Sequence, residues 1–147
     1  MPKIQVSVKI KKRPKQVFKI IKDMESFPAF IRDVKSVKII KRTDDSLVAA
    51  WETDVDGAPV NWKEEVVFDE KNFQAKFNLL EGSYKAYNGR WMVEGHHNDS
   101  AKLTLEANFD WGIPILELYV GKALEEKARR GLLGMAQAIK KQAEKNV

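Results

Sequence analysis

The stretch Ala101-Lys102-Leu103-Thr104-Leu105-Glu106-Ala107-Asn108-Phe109-Asp110-Trp111, followed by Gly112-Ile113-Pro114 and then by a different rhythm, decides how this chain folds. Odd-numbered positions are apolar and even-numbered ones polar, the period of two of a strand with one buried face. Beyond Pro114 the apolar residues recur every three or four positions, at Leu116, Val120, Leu124, Ala128, Leu132, Met135, Ile139 and Ala143. That stripe predicts an amphipathic helix of about 30 residues, about 45 Å long if unbroken. Glu125 and Glu126 precede Arg129 and Arg130 by one turn, the favourable order for ion pairs on a helix. A helix of this length in a small domain needs a sheet to lie on.

Upstream of this junction, the segment from Val34 to Trp111 is cut by turn residues at Thr43-Asp44-Asp45-Ser46, Asp56-Gly57, Asp69-Glu70-Lys71-Asn72, Glu81-Gly82 and Gly95-His96-His97-Asn98-Asp99. These five breaks separate six strands, too close in sequence for parallel crossovers, so an antiparallel meander is expected. Before it, Ile4, Val6, Val8 and Ile10 alternate with Gln5, Ser7, Lys9 and Lys11 as a further strand. Pro14 then opens a helix over residues 14 to 24, with Val17, Phe18, Ile21 and Met24 on one side. Ser26-Phe27-Pro28 repeats the start signal and predicts a second short helix through Ala29, Phe30 and Ile31.

The 147 residues make one ordinary domain, residues 1–147, with 44% hydrophobic and 32% charged residues, a composition that argues against both a disordered chain and a membrane protein. Apolar runs are too short to span a bilayer and no apolar signal core opens the chain, so a cytoplasmic location is expected. The absence of cysteine removes disulfides, thiolate metal sites and cysteine nucleophiles. The net charge of +5 arises from 26 basic residues interleaved with 21 acidic ones, the pattern of a solvated surface more than of a nucleic-acid footprint.

In its order of strand, two helices, six-stranded meander and long terminal helix, the chain resembles the START-like (SRPBCC) superfamily. That superfamily includes polyketide cyclases and dehydrases, coenzyme-Q-binding proteins and a bacterial ribosome-associated toxin. The resemblance rests on Asp23-Met24-Glu25-Ser26-Phe27-Pro28-Ala29-Phe30, on Gly82 through Gly89-Arg90-Trp91, and on Phe109-Asp110-Trp111 ahead of the terminal helix. It implies an α+β helix-grip fold, a seven-stranded antiparallel sheet curved around the C-terminal helix with two short helices after the first strand. It also implies an apolar cavity between sheet and helix for a lipid, quinone or polyketide, and a bacterial source.

The residues themselves point toward such a cavity. Gly121, Ala123, Gly131, Gly134 and Ala138 lie along or beside the expected sheet-facing side of the helix, and each helical glycine costs up to about 1 kcal/mol relative to alanine. Room for a ligand would explain them; so would close packing onto an aromatic ring. Trp51, Trp62, Trp91 and Trp111, with Phe73, Phe77 and Phe109, are core residues or the apolar lining of a pocket. Glu64 shares a strand face with Val60, Trp62, Val66 and Phe68. It is either a pocket carboxyl with a raised pKa or an exposed residue beyond a bulge. Lys127 is either its counter-charge or a surface lysine whose stem covers apolar area. The expected cavity set is Phe30, Trp51, Trp62, Glu64, Phe77, Tyr87, Trp91, Phe109, Tyr119, Ala123, Lys127 and Gly131.

No metal site and no cofactor are expected: His96 and His97 fall in a turn, and no chelating helix pair or phosphate-cradling loop is present. No nucleophile with a partner base stands out, so catalytic residues stay unassigned. In the resembled cyclases, holding the chain in one conformation does much of the work, with acid/base help that Glu64, Tyr87 or Arg90 could give here. Arg90 alternates with Trp91 and so should face away. The expected partner is a hydrophobic small molecule, carried or sensed. A polyketide cyclase comes second and a ribosome- or RNA-associated regulator third.

Overall fold

The computed structural model describes residues 3–55, 57–82, 85–97, 99–110 and 114–145; side-chain placement excludes Val55, Ala58, residues 114–121 and Leu124. Seven strands form one sheet: β1 (Lys3–Ile10), β2 (Val34–Arg42), β3 (Ser46–Val55), β4 (Ala58–Asp69), β5 (Gln74–Gly82), β6 (Ala86–His96) and β7 (Ser100–Asp110). Their spatial order is β1-β7-β6-β5-β4-β3-β2, every pairing antiparallel. Helix α1 (Pro14–Lys22) and a 3₁₀ helix (Met24–Ala29) follow β1, and α2 (Pro114–Glu144) ends the chain. This is the α+β helix-grip architecture that the sequence predicts.

Alternation decides the strands. In β7, Ala101, Leu103, Leu105, Ala107 and Phe109 are buried, and in β1 Ile4, Val6 and Ile10 meet them across the register Ile4↔Ala107, Val6↔Leu105 and Ile10↔Ala101. Burying each of the larger aliphatic side chains contributes about 1.5–3 kcal/mol. Helix α2 lies chiefly along β1, through Leu132, Ala136, Ile139 and Ala143, and covers its unpaired edge. Arg129 Nη1 donates to the Gln5 carbonyl at 3.2 Å and Lys140 Nζ to the Lys9 carbonyl at 2.8 Å. Two main-chain acceptors that could recruit another strand are thereby occupied.

The second short helix differs from expectation. It begins at Met24, ends at Ala29 and is 3₁₀, leaving Phe30 and Ile31 beyond its end. Pro28 lies within it and supplies no N–H, while Ser26 Oγ donates to Asp23 Oδ2 at 2.7 Å and tightens the first turn. The result points Phe27 inward, fully buried.

Two glycines are required by close approach. Gly82 has φ +149°, and a Cβ there would stand 2.5 Å from the Trp62 Cα on β4. At Gly89 a Cβ would overlap the Glu106 carbonyl oxygen and lie 2.8 Å from Phe77 Cζ and 2.9 Å from Ala107 Cα. Gly89→Ala should therefore cost about 2 kcal/mol through overpacking. The shift of its urea midpoint at unchanged slope measures this, and an unchanged midpoint would show that the strands part freely.

Candidate functional site

Six aromatic side chains of the inner sheet face, Trp51, Trp62, Phe77, Tyr87, Trp91 and Phe109, form one continuous contact series with Phe27. Trp51 on β3 pairs directly with Trp62 on β4, and their indoles stack at 5.3 Å with planes 11° apart. Tyr87 on β6 meets Trp62 edge-on at 5.4 Å and leans on Phe77 at 4.9 Å and Phe109 at 4.8 Å. From the 3₁₀ helix, Phe27 reaches Trp51 at 5.7 Å, Trp91 at 6.2 Å and Phe30 at 5.8 Å. Such offset and edge-on pairs each add about 0.5–1.5 kcal/mol beyond their buried area.

Glu64 sits inside this set. Its side chain is 3% exposed, and Trp62 Nε1 donates to its Oε1 at 2.6 Å. A bulge is present, but on the partner strand: the register passes from Lys63↔Glu81 to Glu64↔Leu79, and the extra residue, Leu80, turns outward. The strand carrying Glu64 keeps its alternation, so the carboxyl stays inward with Trp62, Val66 and Phe68. Burial pushes the Glu64 pKa up from 4.5 to about 7, with the Trp62 N–H pulling weakly the other way. An adjacent ammonium would also lower it, so the upward shift reflects a carboxyl governed by burial and not by ion pairing. Facing it are Leu47, Ala49 and Trp51 from β3 and Phe77 and Leu79 from β5, all uncharged. Among the described residues, Glu64 is the only buried carboxylate or cation; the other buried polar side chains are Thr53 and Thr104.

One polar atom of the cluster is unsatisfied. Trp51 is 2% exposed and its Nε1–H has no hydrogen-bond partner among the described residues. A buried donor left unpaired costs about 1–3 kcal/mol. By contrast, the buried Thr53 hydroxyl donates to the Val60 carbonyl at 2.6 Å.

Of the expected set, Phe30, Trp51, Trp62, Glu64, Phe77, Tyr87, Trp91 and Phe109 are brought together. The Tyr119 side chain lies outside the described residues, as does Trp111. Ala123, Lys127 and Gly131 are exposed, as is Gly134, and a Cβ on either glycine would meet nothing within 4 Å. The expectation that these small residues turn toward the sheet is therefore corrected. At about 100° per residue, Ala123 falls opposite Leu132, and Lys127, Gly131 and Gly134 fall well off the buried stripe. Phe27, at the crossing point of three rings, is missing from the expected set; its position beside Pro28 was the available signal.

Arg90 lies on the outer face, its Nε donating to Glu106 Oε2 at 3.0 Å. His96 and His97 are exposed, and among the described residues no cluster of three or more His, Asp or Glu could hold a metal. Nor, among the described residues, is any helix long and apolar enough to cross a membrane. A separate groove of about 560 Å³ runs between β1 and the end of α2, lined by Val8, Lys9, Gln137, Lys140, Lys141 and Glu144. Lys140 there is bonded to Glu144 Oε2 at 2.8 Å and to the Lys9 carbonyl.

Residues 10–136 match the family model described as polyketide cyclase/dehydrase and lipid transport. The ribosome association toxin RatA of Escherichia coli K12 is 21% identical over 128 residues, covering 87% of this chain and 80% of that protein. Among solved structures, TTHA0849 from Thermus thermophilus superposes with a TM-score of 0.93 at 20% identity, over 99% of both chains. The Zhui aromatase/cyclase from Streptomyces sp. R1128 gives a TM-score of 0.88 at 17% identity, over 99% of this chain and 94% of that one. A START superfamily protein from Mycobacterium smegmatis gives 0.85 at 16% identity, over 99% of both.

Proposed function

The chain belongs to the polyketide cyclase/dehydrase and lipid transport family, and from that premise we propose that it binds a flat, hydrophobic small molecule against the aromatic inner face of its sheet, as a carrier or sensor. The observation that carries this reading is the contact series Phe27, Trp51, Trp62, Tyr87, Phe77 and Phe109 with one buried carboxyl beside it. An apolar surface with few, convergent polar groups is the usual form of a small-molecule site. A purely structural core has no use for a carboxyl at this depth, because burying it costs stability whenever it ionises.

Delipidated protein should bind members of a panel of quinones, fatty acids and polycyclic aromatics, with quenching or a shift of tryptophan emission, because two of the stacked rings are indoles. Emission unchanged across the panel, with no ligand retained on gel filtration, would overturn the reading.

A polyketide cyclase is the second reading, and Glu64 favours it. A carboxyl that titrates near neutrality can take a proton from a carbon flanked by carbonyls and return one to a leaving hydroxyl. Turnover of a model poly-β-ketone, lost in Glu64→Gln, separates it from simple carriage. The alternative of a ribosome- or RNA-associated regulator draws on the 21% relative alone. Salt-sensitive cosedimentation with ribosomal subunits would be its mark.

A further inference from the structure

We propose that the Trp51 indole N–H and the Glu64 carboxyl together form the polar end of this site, selecting an uncharged ligand that carries a carbonyl beside a hydroxyl and turning away ligands that end in a carboxylate. The inference rests on the binding reading above and adds the chemical class of the ligand.

Three observations combine. The Trp51 Nε1–H is a buried donor without a partner among the described residues, so it asks for an acceptor. Among the described residues Glu64 has one oxygen engaged by Trp62 and retains the other, which accepts from a ligand hydroxyl when ionised and donates to it when protonated. The two residues are diagonal neighbours on one face: Glu64 stands opposite Ala49, and Trp51 is two residues further along the same strand. Diagonal side chains across an antiparallel pair are separated by about 7–8 Å at the backbone and less between long side chains, a gap that a hydroxy-carbonyl group bridges with a hydrogen bond at each end. The near-parallel indoles of Trp51 and Trp62 fit a planar ring system next to that group.

Charge supplies the exclusion. Among the described residues the site holds a buried carboxyl and no buried cation. A ligand carboxylate would have to lose its water beside Glu64 with nothing to neutralise it, or force one of the two acids to stay protonated. An uncharged carbonyl meets neither penalty and satisfies the orphaned donor.

The test uses the purified protein at pH 8 and four matched probes: naphthalene, 2-acetylnaphthalene, 2-acetyl-1-naphthol and 1-hydroxy-2-naphthoate, each titrated by tryptophan quenching. The acetyl compounds should bind at least fivefold more tightly than naphthalene, and the carboxylate at least tenfold more weakly than 2-acetyl-1-naphthol. In Trp51→Phe, which removes the N–H and keeps a ring, the advantage of the acetyl group should fall to less than twofold. In Glu64→Gln the penalty on the carboxylate should shrink at least threefold. Should Trp51→Phe fail to fold, the ranking of probes on the unmodified protein decides alone. Equal binding of carboxylate and acetyl probes, or equal weakening of naphthalene and acetylnaphthalene in Trp51→Phe, would overturn the inference while leaving the binding reading intact. No binding by any of the four would overturn both.

Discussion

Between pH 5 and pH 8 the protein should lose about 2.5 kcal/mol of folding stability through Glu64, and Glu64→Gln should abolish that loss. The folded-state pKa, about 7, stands above the ordinary 4.5. The folded state therefore binds the proton more tightly than the unfolded chain. The stabilising contribution of the neutral carboxyl is fully present below the unfolded pKa and is lost as pH rises through the folded one. Each unit of pKa separation corresponds to about 1.4 kcal/mol, and because the unfolded carboxyl is already mostly ionised at pH 5, about 2.5 kcal/mol of the total falls in this window.

Other carboxylates act in the opposite sense and elsewhere on the pH scale. Asp69 is held below its ordinary range by Asn72, Glu81 by Lys63 and Glu144 by Lys140. Their contributions are lost on acidification through their lowered pKa values, below the window governed by Glu64. Glutamine keeps a carbonyl for the Trp62 N–H in place of the neutral carboxyl, so Glu64→Gln should be near wild type at pH 5 and about 2.5 kcal/mol more stable at pH 8. Urea titrations of both proteins at several pH values test this. Parallel curves, or a wild type that gains stability across the range, would sink it.

Phe27→Ala should cost about 3–5 kcal/mol, a large part of the stability of a domain this size. Phe27 is fully buried and touches the rings of Phe30, Trp51 and Trp91, so the truncation opens a cavity that three bulky, constrained neighbours can collapse into only partly. Its tryptophan emission should shift to the red as water reaches Trp51 and Trp91. Phe27→Leu retains most of the volume and should recover more than half of the loss. A cost below about 1 kcal/mol for the alanine variant, well under the usual range for such a truncation, would mean that the 3₁₀ helix does not brace the aromatic face.

The sheet was legible in the sequence because alternation is local: one residue of error in register would turn Leu103 and Leu105 into water and Lys102 and Glu106 into the core. The inward Glu64 was legible only as one of two possibilities, since the bulge that resolves it sits at Leu80 on another strand. The faces of α2 were harder to assign. A stripe defined by Leu132, Met135 and Ile139 fixes a direction, but small residues carry no hydropathy signal of their own. Room for a ligand would place Gly131 and Ala123 on that face, and helical rotation takes them elsewhere. The 3₁₀ turn at Met24–Ala29 depends on one serine hydroxyl and one proline. Propensity cannot separate it from a short α-helix. The unpartnered Trp51 N–H is a property of packing across strands, invisible in any window of sequence.

The placement of β1 beside β7 is also a statement about time. The first strand of the sheet to leave the ribosome pairs with the last one to be made: Ile4 waits for Ala107 and Val8 for Leu103. At about 5–20 residues per second, roughly a hundred residues of intervening chain impose a delay of about 5–20 s before the partner exists. The meander from β2 onward needs no such wait, because each strand pairs with its immediate successor. During that interval Ile4, Val6 and Ile10 have neither strand nor helix to cover them. Lys3, Lys9 and Lys11, interleaved with Gln5 and Ser7, keep the emerging segment charged and hydrated until its partner arrives.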